Sequence, residues 1–275
     1  MHPDPEIVFY DLTNNISRYN LSQPVLSIKN MTKKFGEFKA VDNLSMDIEH
    51  GKITLVIGPN GSGKTTMLNC VSGLYKADEG RVFFRGEDVT GDKTHELVEK
   101  GLVRTFQVSS PFTRLTVLEN LLVSYGSNSG EKFMWAPFSS KWRDEEKDAM
   151  EKAYGVLDLL EITELAHDPA YTLSGGQLKL LEIGRALMTD AKMILSDEPA
   201  GSVSVLLAEK IFTYIRELCR NQGLDFLLIE HRLDVASKYV DYVYAMDNGS
   251  VLSHGKPRDV FEDIKVIESY LTVRR

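Results

Sequence analysis

The run Gly58-Pro59-Asn60-Gly61-Ser62-Gly63-Lys64-Thr65-Thr66 matches the spacing G-x-x-x-x-G-K-[ST]. Its residue types suit one task, holding the phosphates of a nucleotide. Glycines let the backbone turn its N–H groups inward without Cβ clashes. The apolar run ITLVI before it reads as a strand and KTTMLNCV within it as a helix. The phosphates would then meet a helix N-terminus and its partial positive charge. In this setting Lys64 is expected to reach the β- and γ-phosphates, and the Thr65 hydroxyl to bind Mg2+.

A second constellation follows the run MILS, where Asp197 and Glu198 end a strand-like segment. Open α/β sheets bind ligands at the carboxyl ends of their strands. Asp197 is therefore expected to hold Mg2+, and Glu198 to orient or deprotonate an attacking water. His231 ends FLLIE and Gln107 ends GLVRTF. His231 is placed for the γ-phosphate, and Gln107 for the metal or the water. Neither is diagnostic alone; their weight comes from parallel strands ending at one nucleotide. LSGGQ, residues 173–177, sets Ser174, Gly175 and Gly176 ahead of another apolar-periodic helix. That is a second phosphate-holding turn.

These residues need a scaffold, and the pattern supplies one. Strand-like runs (VLSIKNMTKKF, LSMDI, RVFFRG, KMILS, YVYAM) alternate with helical ones. The alternation predicts an α/β fold around a mainly parallel sheet covered on both faces. A helical stretch over about 108–190 interrupts it and reads as an inserted lobe. Within that stretch, residues 125–143 read as a loop and 144–160 as a long helix. Residues 1–23 read as a polar extension without an assigned role, and 24–271 as a single domain.

Composition narrows the function. The 275 residues are 43% hydrophobic, enough for a substantial core. A net charge of −8, with acids and bases interspersed, offers no general field for nucleic acid or anionic lipid. Cys70 and Cys219 lie in apolar helical contexts and are expected to be free, buried thiols. The first residues lack the basic flank and apolar core of a secretory signal. No apolar run reaches the roughly 18 residues that span a bilayer, so a membrane role is expected to come through a partner.

Taken in order, the motifs resemble those of the ATP-binding subunits of ABC transporters: phosphate loop, Gln107, LSGGQ, ILSDE and His231. The resemblance spans residues 25–271. It implies a RecA-like P-loop NTPase core, an antiparallel β subdomain and an inserted α-helical subdomain. It implies ATP and Mg2+ as cofactors, and hydrolysis as the activity. It also implies that Phe35 stacks on adenine. A second ATP-binding subunit, identical or not, would pair head to tail with this one. Each ATP would lie between one phosphate loop and Ser174, Gly175, Gly176 and Gln177 of the other copy. Hydrolysis would open the pair and move transmembrane permease subunits at the cytoplasmic face of the membrane, served indirectly by a substrate-binding protein. No nucleic acid partner is expected.

THELVEKGLVRTFQ, LTVLENLLV, LLIEH and VIESYL more narrowly resemble the branched-chain amino acid importer subfamily, to which urea-type importers are close. RTFQ favours importers over the related lipopolysaccharide-export ATPases, which remain an alternative. A soluble ABC ATPase acting on DNA or ribosomes is a further alternative. Those proteins usually show a long coiled coil or duplicated cassettes, and this sequence shows neither. Four residues depart from the family pattern: Ser196, Ser204, Val205 and Arg232. Ser204 in particular is expected to weaken coupling between the paired sites or to lower turnover.

Overall fold

The computed structural model describes residues 23–105, 111–125 and 139–272. Gln107 and nearly all of the extension 1–23 lie outside the described residues. A four-stranded antiparallel sheet contains β1 (Leu26–Phe35), β2 (Phe38–Ile48), β4 (Glu79–Phe84) and β5 (Glu87–Asp88), in the order β2-β1-β4-β5. A six-stranded sheet contains β3 (Ile53–Ile57), β6 (Leu102–Arg104), β7 (Met193–Asp197), β8 (Asp225–Ile229), β9 (Tyr242–Asp247) and β10 (Ser250–Gly255). Its order is β10-β9-β3-β8-β7-β6, parallel throughout except for β10. Strands β9 and β10 are joined through Asn248-Gly249, at φ 46° and 79°. Positive φ at both positions is what a tight two-residue hairpin turn requires.

The central strands are buried along their whole length. Because side chains alternate across a strand, each feeds two cores. Ile53, Leu55 and Ile57 of β3 join one apolar cluster while Val56 joins the other. Phe226 and Leu228 of β8 go with the first cluster, and Leu227 and Ile229 with the second. The second cluster is completed by α1 (Lys64–Val71) and the inner faces of β1, β2 and β4. The first is completed by α6 (Val205–Gln222), whose Phe212 is wholly buried, and by three further helices. Truncating such a phenylalanine to alanine typically costs about 3–5 kcal/mol.

Those helices are α3 (Val117–Leu122), α4 (Ser139–Leu159) and α5 (Gly175–Leu187). They pack through Leu118, Leu121, Leu157, Leu180 and Leu181. Gly184 permits the close approach: a Cβ there would lie 3.0 Å from Leu121 and 3.1 Å from Leu160. Helix α4 starts at Ser139, which corrects the sequence reading of 139–143 as loop. Serines count as loop composition in a pattern reading, yet they also favour helix starts. The remaining helices are short: α2 (Thr94–Glu99), α7 (Leu233–Ala236), α8 (Pro257–Phe261) and α9 (Ile264–Thr272). Cys70 and Cys219 are free and buried, and burial pushes their thiols up to about 11 and about 12.

At the amino-terminal ends of the parallel strands, His50 Nδ1 lies 2.8 Å from the buried Asp225 carboxylate, which also accepts from the Gly51 amide. The Asp225 bond raises the imidazole above its ordinary value, against partial burial and the Arg85 charge. A group with a raised folded pKa contributes stability that is complete below its unfolded value, about 6.5, and lost as pH rises through the folded one. Denaturant melts of the parent and His50→Gln should differ most in mild acid and converge at higher pH. A gap independent of pH would show that the pair does not titrate with folding.

Candidate functional site

The phosphate loop leaves β3 at Ile57 and enters α1 at Lys64, with Gly63 as N-cap at φ 98°. Two glycines are required by neighbouring backbone. A Cβ at Gly58 would stand 2.2 Å from the Met246 carbonyl oxygen, and one at Gly63 the same distance from that of Ala40. Met246 belongs to β9 and Ala40 to β2, so both sheets close on this loop. Lys64 is 6% exposed. Its Nζ donates to the carbonyls of Gly58 (2.8 Å) and Pro59 (2.9 Å) and to Ser62 Oγ (3.4 Å). Burial lowers its pKa, while the Asp197 and Glu198 charges act the other way. These bonds hold the ammonium within the loop.

The acidic pair meets the loop directly. Thr65 Oγ1 donates to Asp197 Oδ2 at 3.1 Å. Burial raises the Asp197 carboxyl, and Thr65, Arg104 and Lys64 oppose that rise. Glu198 lies just beyond the strand at φ 56°, a left-handed conformation that side chains seldom adopt. Its carboxylate Oε1 is 3.3 Å from His231 Nε2. The pairing of β7 with β8, Asp197 opposite Ile229, makes that meeting possible.

Lys64, Thr65, Asp197, Glu198 and His231 thus lie together at the carboxyl ends of the parallel strands. Asn60 is exposed at the tip of the loop, while Pro59 and Ser62 are buried and Thr66 is partly so. Phe35 is half exposed at the end of β1, edge-on to Tyr75 with Lys33 Nζ 5.5 Å from its ring centre. It is available as a stacking surface rather than spent in the core. Ser174 caps α5: its Oγ accepts from the Gln177 amide at 3.3 Å, and Gln177 Oε1 accepts from the Ser174 amide at 2.8 Å. Gly175 is open, whereas a Cβ on Gly176 would collide with Leu207. No hydrogen bond among the described residues joins this turn to the phosphate loop of its own chain.

Four residues of the site escaped the sequence reading. Glu230 is 1% exposed and accepts from the amides of Ala200, His231 and Arg232. A charged residue closing the apolar run FLLI was the available signal. Arg104 bonds Asn69 and Ser72 of the α1 region and approaches Asp197 to 3.9 Å. Thr105 donates to Ser196 at 2.8 Å, which gives the unusual serine a buried partner. The fourth is Tyr270 of α9, whose hydroxyl accepts from the Gly58 amide at 2.8 Å. No sequence pattern links residues so far apart.

Residues 41–201 match the family model described as ABC transporter. The chain belongs to the ABC transporter ATP-binding family. This cassette is 46% identical over 247 residues to a protein of Archaeoglobus fulgidus named "Probable branched-chain amino acid transport ATP-binding protein LivG", covering 90% of this chain and 95% of that one. A crystal structure of a nucleotide-free ATP-binding cassette from an ABC transporter matches with a TM-score of 0.79 at 46% identity, over 90% of this chain and 98% of the other. A dimeric cassette in a post-hydrolysis state, bound to ADP and Pi, matches with a TM-score of 0.69 at 29% identity, over 85% and 99%. The α/β P-loop fold of the cassette is the one the sequence implied.

Tyr270 anchors the first residue of the cassette's phosphate loop. Replacing it by phenylalanine removes one acceptor and leaves the Gly58 amide without that bond, a loss of about 1–3 kcal/mol. Thermal unfolding of Tyr270→Phe should fall by several degrees. An unchanged midpoint would show that water replaces the hydroxyl at no cost.

Proposed function

We propose that this chain is the ATP-hydrolysing motor of an importer, binding ATP in the loop of residues 58–66 and using Glu198 to activate the attacking water. The observation that carries the reading is the convergence of Thr65, Asp197, Glu198 and His231 at the edge of the phosphate loop, with the Glu198–His231 contact at 3.3 Å. His231 holds the carboxylate of Glu198 from the side and is set to touch the γ-phosphate. Lys64 exchanges its carbonyl partners for phosphate oxygens. Phe35 supplies the adenine platform, and Gln107 is assigned to the metal and the water on the family pattern.

Thr65 and Asp197 offer a hydroxyl and a carboxylate 3.1 Å apart. These are hard oxygen donors of the kind Mg2+ accepts when water and phosphate complete its shell. No cluster of three or more His, Cys, Asp or Glu suited to a metal occurs among the described residues. When bound, Mg2+ would neutralise charge on the phosphates.

Ser174 and Gly175 are exposed at the start of α5, and we assign them, with Gly176 and Gln177, to the γ-phosphate of a second subunit. Val205 and Leu206, 51% and 81% exposed at the start of α6, suit coverage by that subunit. No helix among the described residues is long and apolar enough to cross a membrane. In this reading the force is delivered to permease subunits at the cytoplasmic face. The likeness to a branched-chain amino acid transport protein supports import of such amino acids or similar small solutes. Cargo choice rests with the permease and a substrate-binding protein.

Steady-state ATPase assays test this. Lys64→Ala should lose nucleotide affinity and turnover together. Glu198→Gln should bind ATP, turn over about 10²- to 10⁴-fold more slowly, and accumulate as a nucleotide-dependent dimer in light scattering. A Glu198→Gln protein that hydrolyses at the parent rate would remove Glu198 from its role.

A further inference from the structure

The segment between Glu198 and α6 is tied to the residues flanking His231. Glu230 Oε1 accepts from the Ala200 amide at 2.7 Å, and its Oε2 accepts from the amides of His231 (3.1 Å) and Arg232 (3.4 Å). Arg232 Nη1 donates to the Val203 carbonyl at 2.7 Å. One residue further, Ser204 caps α6 by accepting from the Leu207 amide at 3.3 Å. Glu198 itself is fixed twice, its amide donating to Ile229 O at 2.8 Å and its carbonyl accepting from the Gly201 amide at 3.0 Å.

We propose that Glu230 and Arg232 are positioning residues: together they clamp both ends of residues 200–203 to the histidine loop, so that Glu198, His231 and this segment shift as one body. The proposal rests on the hydrolytic reading above. It accounts for the left-handed backbone of Glu198, because a strained conformation persists only where its surroundings over-determine it. It also gives a use to Arg232, one of the residues that depart from the family pattern. The arginine reaches back within its own chain to the carbonyl of Val203. The clamp ends where Val205 and Leu206 emerge into solvent. A change at the Glu198–His231 contact is thereby carried to the surface assigned to the second subunit.

Burial raises the Glu230 carboxyl, and its three amide bonds act against that rise. Arg232 is the better test position, because its removal leaves those three bonds in place. In the full chain, Arg232→Ala should lower kcat for ATP roughly ten- to hundredfold, with KM within about twofold of the parent and the thermal midpoint little changed. Arg232→Lys keeps a cation able to reach the Val203 carbonyl and should restore most of the rate. In the Glu198→Gln background, Arg232→Ala should also shift the ATP-dependent dimer to higher ATP concentration. A parent-like kcat in Arg232→Ala would overturn the clamp, as would a kcat and thermal midpoint that fall together without rescue by lysine. The hydrolytic reading fails separately, if Glu198→Gln itself keeps the parent rate.

Discussion

Strand β8 lies hydrogen-bonded between β3 and β7, and Ile229 is its pivotal residue, opposite Val56 on one side and Asp197 on the other. Two residues past Val56 the phosphate loop begins; one past Asp197 stands Glu198; two past Ile229 stands His231. The site is the result of three parallel strands ending in step. Because side chains alternate across a strand, a slip of one residue in either pairing would exchange the side chains that fill the two clusters. Both faces of this sheet are buried in separate clusters, so neither strand is free to slip. The core therefore fixes the register, and the register fixes the chemistry.

Putting charges at the carboxyl end of such a sheet is costly unless each finds partners. Lys64 is satisfied by the carbonyls of its own loop, Asp197 by Thr65 with Arg104 nearby, and Glu230 by three backbone amides. These contacts keep the charged groups oriented before nucleotide arrives.

The LSGGQ turn has a local structural role beside the one proposed for it in a dimer. Its serine and glutamine close a capping box on α5, which stabilises the helix start. Ser174 and Gly175 stay exposed there, without a hydrogen bond to the phosphate loop of the same chain among the described residues. A matching cassette was solved as a dimer bound to ADP and Pi; in the function proposed above, a second copy's nucleotide would meet these residues.

The motifs told much of this in advance, because the chemistry of phosphate binding restricts residue types at fixed spacing. Glycines beside Lys64, the acids after MILS and the Ser174–Gln177 pair each act within a few residues of one another, and short-range patterns record short-range physics. The alternation of strands and helices likewise foretold an α/β fold. Tertiary structure decided the rest. Helix α4 begins earlier than its serines suggested, Ser196 is matched by Thr105, and Gly58 is anchored by Tyr270 from the far end of the chain. Glu230 carried no assigned role in the sequence, and Arg232 stood out only as a departure from the family pattern, until the fold set them against Ala200 and Val203. A sequence states which groups can bond, but only the packing of distant segments determines which partner comes within reach.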